Sequence, residues 1–229
     1  MKLFAKIHTV LFLGILSCPG TLSAAIYIQN FTSDFADNGM IPDGDYAGWQ
    51  NSQVVALESG LRMTDLAVTL ELSGGWNGDL YVTLRHETIA GTGFAVLLDR
   101  VGTSITDTLG YTNTGFGLNN SLEPFRLSDL GTYSVHYYQD HAPDFNSNGQ
   151  LTGLWRPDGG PLTSFQGLDP NGTWTLFVAD CNGGDVGTIN QWGLEITAVP
   201  EPVGGAWVIS VLTLGVGLLL RRWRLGGYS

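Results

Sequence analysis

Leu66-Ala67-Val68-Thr69-Leu70-Glu71-Leu72, the turn Ser73-Gly74-Gly75-Trp76-Asn77-Gly78, and Asp79-Leu80-Tyr81-Val82-Thr83-Leu84-Arg85 decide how this chain folds. In the first run Leu66, Val68, Leu70 and Leu72 share one face, while Ala67, Thr69 and Glu71 share the other. A period of two places alternate side chains on opposite sides of a strand. The pattern resumes after the Gly/Asn turn, with Leu80, Val82 and Leu84 inward and Tyr81, Thr83 and Arg85 outward. Two such runs around a turn-rich cluster read as consecutive strands.

Working outward, Phe94 to Leu98 is a short apolar strand after Gly91-Thr92-Gly93. Residues 102–121 are rich in Gly, Thr, Asn and Ser, which predicts a long surface loop. Tyr133 to Tyr138 is expected to form another strand. Trp174, Leu176 and Val178 alternate with Thr175, Phe177 and Ala179, so this strand is almost apolar on both faces and belongs mid-sheet. Asn182-Gly183-Gly184-Asp185 turns the chain, and Trp192, Leu194 and Ile196 close the domain. No helical period appears before Pro200. Short strands with Gly-rich turns predict an all-β sandwich over residues 26–198.

The two ends of the chain have another character. Lys2 and Lys6, the apolar Val10–Leu16 and the small Ser23-Ala24-Ala25 have the three zones of a signal peptide, residues 1–25. The mature chain is expected to begin at Ile26. Ile15-Leu16-Ser17-Cys18 also resembles a lipoprotein cleavage box, although Leu16 is bulky there and Pro19 is unusual after the cysteine. At the other end, Val203–Leu220 is uncharged and long enough to cross a thin bilayer as one helix. Arg221, Arg222 and Arg224 follow at once and would stay cytoplasmic. Trp207 and Trp223 flank the span where indoles favour the interface.

Pro200-Glu201-Pro202, the apolar helix and the Arg cluster, in that order over residues 199–229, resemble the PEP-CTERM sorting signal. The resemblance implies a Gram-negative source and recognition by exosortase, an integral-membrane cysteine peptidase. It also implies transient inner-membrane anchoring, cleavage near Pro200–Pro202 and release to the cell surface or a polysaccharide matrix. An apolar helix and arginines alone would favour an ordinary C-terminal anchor; the Pro-Glu-Pro stretch favours sorting.

A second resemblance lies in the body of the chain. It is carried by Ile41-Pro42-Asp43, by Trp76-Asn77-Gly78-Asp79-Leu80-Tyr81-Val82-Thr83-Leu84, and by Gly172-Thr173-Trp174-Thr175-Leu176 with Val178-Ala179-Asp180. Asp185-Val186-Gly187-Thr188-Ile189 and Gln191-Trp192-Gly193-Leu194 complete it. Over roughly residues 38–197 this is similar to the P domain (P/Homo B) that follows the subtilisin-like catalytic domain of proprotein convertases. The resemblance implies a jelly-roll-like β-sandwich and a peptidase as its usual neighbour. Family members often carry His near the position of Trp76, and the 100–130 region is longer here.

Charge and composition narrow the function. The whole chain carries a formal −11, and the stretch from Ile26 to Val199 about −15, with Arg62, Arg85, Arg100, Arg126 and Arg156 its only Lys or Arg residues. Such a surface repels nucleic acid. No Gly-x-Ser-x-Gly elbow is present, and His86-Glu87 lacks the second His of a zinc-peptidase helix. The chain is expected not to be an enzyme. If Cys18 leaves with the signal, Cys181 has no intramolecular partner, and its position between Asp180 and Asn182 argues against an activated thiol.

Cation binding is the better site expectation, with Ca²⁺ as the ion. Asp144-Phe145-Asn146-Ser147-Asn148-Gly149 sets oxygen ligands at alternate positions before a glycine, like the first half of a calcium loop. Trp155 stands where the later bidentate acid would be, so a full EF-hand is excluded, and an Asx turn fits the same residues. Asp79, Asp180 and Asp185 form a second set, each at a strand–turn junction, with turn capping as its alternative. His136, Asp140, His141 and Asp144 offer a weaker zinc pattern. Among the tryptophans, Trp76 and Trp155 lie in turn-rich segments and are expected to be exposed platforms for stacking on extracellular polysaccharide. Taken together the sequence reads as an exported structural, adhesive or ligand-binding module, with an accessory role beside a separate extracellular peptidase as the alternative.

Overall fold

The computed structural model describes residues 23–117 and 124–201. Residues 1–22 of the proposed signal peptide, the apolar run 203–220 and the residues Pro202, Arg221, Arg222 and Arg224 lie outside the described residues. Among the described residues no helix is long and apolar enough to cross a membrane.

The strands are β1 (Ala25–Phe31), β2 (Trp49–Val55), β3 (Leu61–Gly74), β4 (Leu80–Glu87), β5 (Thr92–Asp99), β6 (Arg126–Ser128), β7 (Leu154–Trp155), β8 (Gly172–Asp180) and β9 (Gly187–Pro200). They form a five-stranded sheet in the order β1-β9-β3-β6-β7 and a four-stranded sheet in the order β2-β8-β4-β5. All pairs are antiparallel except the short β6–β7 pair. The all-β sandwich expected from the alternation is the observed architecture.

Alternation explains which side chains meet between the sheets. Val68, Leu70 and Leu72 of β3 are buried with Leu80, Val82 and Leu84 of β4, Trp174, Leu176 and Val178 of β8, and Trp192, Leu194 and Ile196 of β9. β8 sits between β2 and β4; its second face carries Thr173, Thr175 and Phe177, all half-buried, and the buried Ala179. Two β-bulges in the β3–β9 pair, at Met63/Asp65 and Glu71/Leu72, reset its register. Such bulges leave one residue unpaired and increase the local twist.

Three sequence expectations are corrected. Residues 133–138 are not a strand: Val135–His141 is a 3-10 helix whose first turn is capped by Ser134, its hydroxyl accepting from the His136 amide. Val135 and Tyr138 are buried while His136 and Tyr137 between them are not, the spacing of one face of a three-residue turn. The loop after β5 is not merely superficial, because Phe116 is fully buried and bridges Leu72 and Leu151. The third concerns β1 and β2, strands that the sequence reading did not find. On β1 the isoleucines 26 and 28 face outward, 61% and 65% exposed, so its alternation carries no core signal.

Register and short connections give the sandwich two distinct poles. At one, β1 begins at Ala25 opposite Ala198, and β9 ends at Pro200 opposite Leu61 of β3. At the other lie the turns from β3 to β4 and from β8 to β9, with the segment leading into β2. Both ends of the described domain therefore leave from one pole, and the Gly-rich, acidic turns cap the opposite one.

Candidate functional site: the acidic pole

Three connections build this pole. The β3–β4 turn folds as a short 3-10 helix, Asn77–Asp79, and delivers Asp79 to the first residue of β4. β8 ends at Asp180, whose backbone is paired with Leu80. The Cys181 amide donates to the Asp79 carbonyl at 2.7 Å, which fixes the two acids side by side on neighbouring strands. Asp43 approaches from the segment before β2, where its Oδ1 accepts from the Gly184 amide at 2.9 Å. Gly44 has φ +61°, and a Cβ there would lie 3.1 Å from the Gly183 Cα, so the two rim turns touch backbone to backbone.

The turn residue Asn77 is fully buried and ties in the following loop. Its Oδ1 accepts from the Gly115 amide at 2.7 Å, and its Nδ2 donates to the Gly115 carbonyl and the Tyr138 hydroxyl. Gly78 admits the same loop at close range: a Cβ would stand 2.3 Å from the Leu109 carbonyl oxygen. The sequence reading treated this loop as loose. Its anchors are hydrogen bonds to one buried amide and a missing side chain, which hydrophobic patterning does not register.

Electrostatically the pole is unbalanced. Asp79 and Asp180 are 2% and 1% exposed. Asp180 Oδ1 accepts from the Asn182 amide, but its Oδ2 has no hydrogen-bond partner, and neither has Asp79 Oδ1. Arg100 is the nearby cation, yet its Nη2 stays 3.8 Å from Asp79 Oδ1. Its guanidinium is held instead by the carbonyls of Gly78 and Thr108. Burial pushes the Asp180 carboxyl up to about 6, with the charges of Asp79, Asp43 and Asp185 adding to the effect. Burial likewise raises Asp79, partly offset by Arg100. The Cys181 thiol is raised by burial too, which fits the expectation of an unactivated cysteine.

The expected set Asp79, Asp180 and Asp185 is thus brought to one pole, joined by Asp43 and Arg100, which the sequence reading did not assign. The Pro42-Asp43-Gly44 turn was the available signal for Asp43. Among the described residues, no set of three or more His, Cys, Asp or Glu side chains is grouped so as to hold a metal ion as it stands. Asp79 and Asp180 form a pair, with Asp43 and Asp185 around it.

Elsewhere the candidate residues have local duties. Asn146 Oδ1 accepts from the amides of Asn148 and Gln150, and its Nδ2 donates to the Gln150 side chain. The Asp144 carbonyl accepts from the amide and hydroxyl of Thr152. Asp144, Asn146 and Asn148 therefore lie in an Asx-type turn closed by Gly149 at φ +77°. Trp155 is not an exposed platform: it is 6% exposed, and its indole donates to the Thr152 carbonyl at 2.8 Å. Trp76 is partly exposed at the edge of the acidic pole.

The histidines of the described residues are also engaged. His86 is buried, stacked on Trp174 at 3.9 Å, with its ring nitrogens on the carbonyls of Thr173 and Asp169. His141 stacks on Tyr133 at 3.7 Å. His136 Nδ1 meets Asp158 Oδ2 at 2.8 Å and its Nε2 meets the Thr103 carbonyl at 2.9 Å. The neighbouring Ser134 hydroxyl accepts from the His136 backbone amide.

Residues 131–196 match the family model of the Proprotein convertase P-domain. That segment holds Asp180, Asp185 and the strands β8 and most of β9; the Trp76–Leu84 stretch lies outside it. No curated protein matches the chain. Among solved structures, a serine protease of Aeromonas sobria in complex with its chaperone aligns with 16% identity and a TM-score of 0.44, covering 78% of this chain and 28% of that one. A structure of the Aeromonas sobria serine protease aligns with 16% identity and a TM-score of 0.41 over 76% of this chain and 27% of that one. The chain thus spans less than a third of the length of these proteases.

Proposed function

We propose that this chain is an exported, non-catalytic β-sandwich, delivered by its N-terminal signal and attached to the inner membrane through its C-terminal tail before release. Its acidic pole is the working end, displayed at the cell surface or in an extracellular matrix as a structural or ligand-binding surface. The observation that carries this reading is the placement of Ala25 and Pro200 at one pole and of Asp43, Asp79, Asp180 and Asp185 at the other. A tail leaving beside Leu61 tethers the domain by that pole and leaves the acidic pole facing away.

The start of the Pro200-Glu201-Pro202 stretch bears on the tether. Pro200 is the last residue of β9, the Glu201 amide donates to the Gly60 carbonyl at 2.6 Å, and the Glu201 carboxylate is ion-paired with Arg62. Little slack separates the sandwich from the apolar run. Peptidases bind extended segments through their free backbone groups. An exosortase acting here therefore cuts beyond Glu201 or peels the end of β9 from Leu61 first. Fractionation with intact-mass measurement of the product tests the export and sorting steps.

A second reading is favoured by the P-domain match over residues 131–196: an accessory module that works beside a separate extracellular peptidase. Affinity capture from the native secretome distinguishes the two. A peptidase retained by the acidic pole supports the second, and polysaccharide retained with a change in Trp76 fluorescence supports the first.

A further inference from the structure

We infer that the acidic pole is a calcium site, with Asp79 and Asp180 as its floor and Asp43 and Asp185 as its rim. The inference goes beyond the export reading and does not depend on it.

Two independent observations carry it. Four carboxylates from three connections share one pole: Asp79 and Asp180 lie side by side on neighbouring strands, and Asp43 is bonded to the Gly184 amide of the turn that carries Asp185. In addition, the two most buried of them each keep one oxygen, Asp79 Oδ1 and Asp180 Oδ2, without a hydrogen-bond partner. A buried carboxylate oxygen is ordinarily satisfied, and leaving one bare destabilises the fold. Arg100 does not supply the missing partner, because carbonyls hold its guanidinium 3.8 Å away. A cation placed at the pair supplies what both oxygens lack.

The donors select the ion. They are carboxylate and backbone oxygens, with no histidine among them. That composition suits a hard cation rather than zinc. Calcium accepts six to eight oxygens in irregular geometry, whereas magnesium demands a near-ideal octahedron. The rim turns Asp43-Gly44 and Gly183-Gly184-Asp185 are irregular and in contact, and the Asp43 carboxylate is held on the turn that carries Asp185. Water and backbone carbonyls complete the shell.

The test uses the full-length protein in mild detergent, stripped with EDTA and titrated with calcium chloride at pH 7.5. Calorimetry and thermal melting are read for wild type, Asp180→Asn and Asp185→Asn. Wild type is expected to bind one Ca²⁺ and to melt at higher temperature with it, as linkage requires. Asp180→Asn should weaken binding about tenfold or more, on the scale of lost ligand-shell contacts. In EDTA it should melt no lower than wild type, because it removes a buried charge. Asp185→Asn should weaken binding less and leave the EDTA melt unchanged. An unchanged wild-type melt with no binding heat at millimolar calcium would overturn the site. So would wild-type affinity in Asp180→Asn, or equal affinity for magnesium.

Discussion

Asp180 and His136 set the pH response of the metal-free protein, and their signs can be worked out separately. Burial raises the Asp180 carboxyl from an ordinary 3.8 to about 6. A raised acid binds its proton more tightly in the folded state, so its ionisation penalises the fold fully above about pH 6. The penalty shrinks as pH falls toward the unfolded value, a change of about 3 kcal/mol for a shift of that size. In EDTA, the urea midpoint should therefore rise between pH 7 and pH 5, and Asp180→Asn should flatten that rise. A midpoint with no pH dependence in this window, or one unaltered by the substitution, contradicts the assignment. Saturating calcium should reverse the slope, because protons and metal compete for the same oxygens.

His136 acts in the neutral range. Its two ring nitrogens face two acceptors, Asp158 and the Thr103 carbonyl, so both contacts are hydrogen bonds only when the ring is protonated. Burial opposes the charge, but the bonds to Asp158 and Thr103 outweigh it and raise the pKa. A raised histidine stabilises the fold below its unfolded pKa and loses that contribution as pH rises through the folded one. Asp158 is itself raised by burial despite the histidine beside it, so the pair as a whole favours retaining a proton. His136→Gln should reduce the loss of stability between pH 6.5 and 8, measured by urea midpoints, while leaving calcium binding unchanged.

At the scale of elements, the β3–β4 turn is the most constrained segment. Gly78→Ala forces a Cβ to within 2.3 Å of the Leu109 backbone oxygen, which cannot swing aside as a side chain would. Overpacking of this kind costs about 1–3 kcal/mol. Thermal melting should register that loss, and hydrogen exchange should quicken at the Gly78 amide, which donates to the Tyr111 carbonyl, and at the Tyr111 amide, which donates to the Val101 carbonyl and would lie 2.6 Å from the added Cβ. Exchange unchanged at both amides would mean that the turn accommodates the methyl group.

Legibility followed from what each element depends on. β3, β4, β8 and β9 were readable because Leu70, Leu84, Trp174 and Trp192 repeat with period two on a buried face. β1 was not, because its two isoleucines face outward. Residues 133–138 have the β-branched and aromatic composition of a strand, but the Ser134 cap and the three-residue spacing of Val135 and Tyr138 wind them into a 3-10 helix. For the site, Asp79, Asp180 and Asp185 were legible as strand-end acids. Asp43 was hidden by its distance in sequence, and the tether on Arg100 is made by carbonyls that no motif records. Trp155 misled because its turn-rich neighbours folded inward and took its indole with them.

At the scale of the whole molecule, the two-pole arrangement links the fold to the proposed role. The core between the sheets is continuous from Ile41 to Ala198, so the acidic pole is presented on a rigid body rather than on a free loop. The tail departs from the far pole, where Arg62 holds Glu201 against Gly60. On the proposed reading, sorting, release and display follow from that geometry, and the sandwich needs no chemistry of its own. The most direct test is intact mass combined with fractionation of the native protein. The account predicts a product that begins at Ile26, ends near Pro200–Pro202 and is recovered at the surface or in the matrix. A full-length chain retained in the cytoplasm, or one keeping its whole C-terminal tail in the inner membrane, would contradict it.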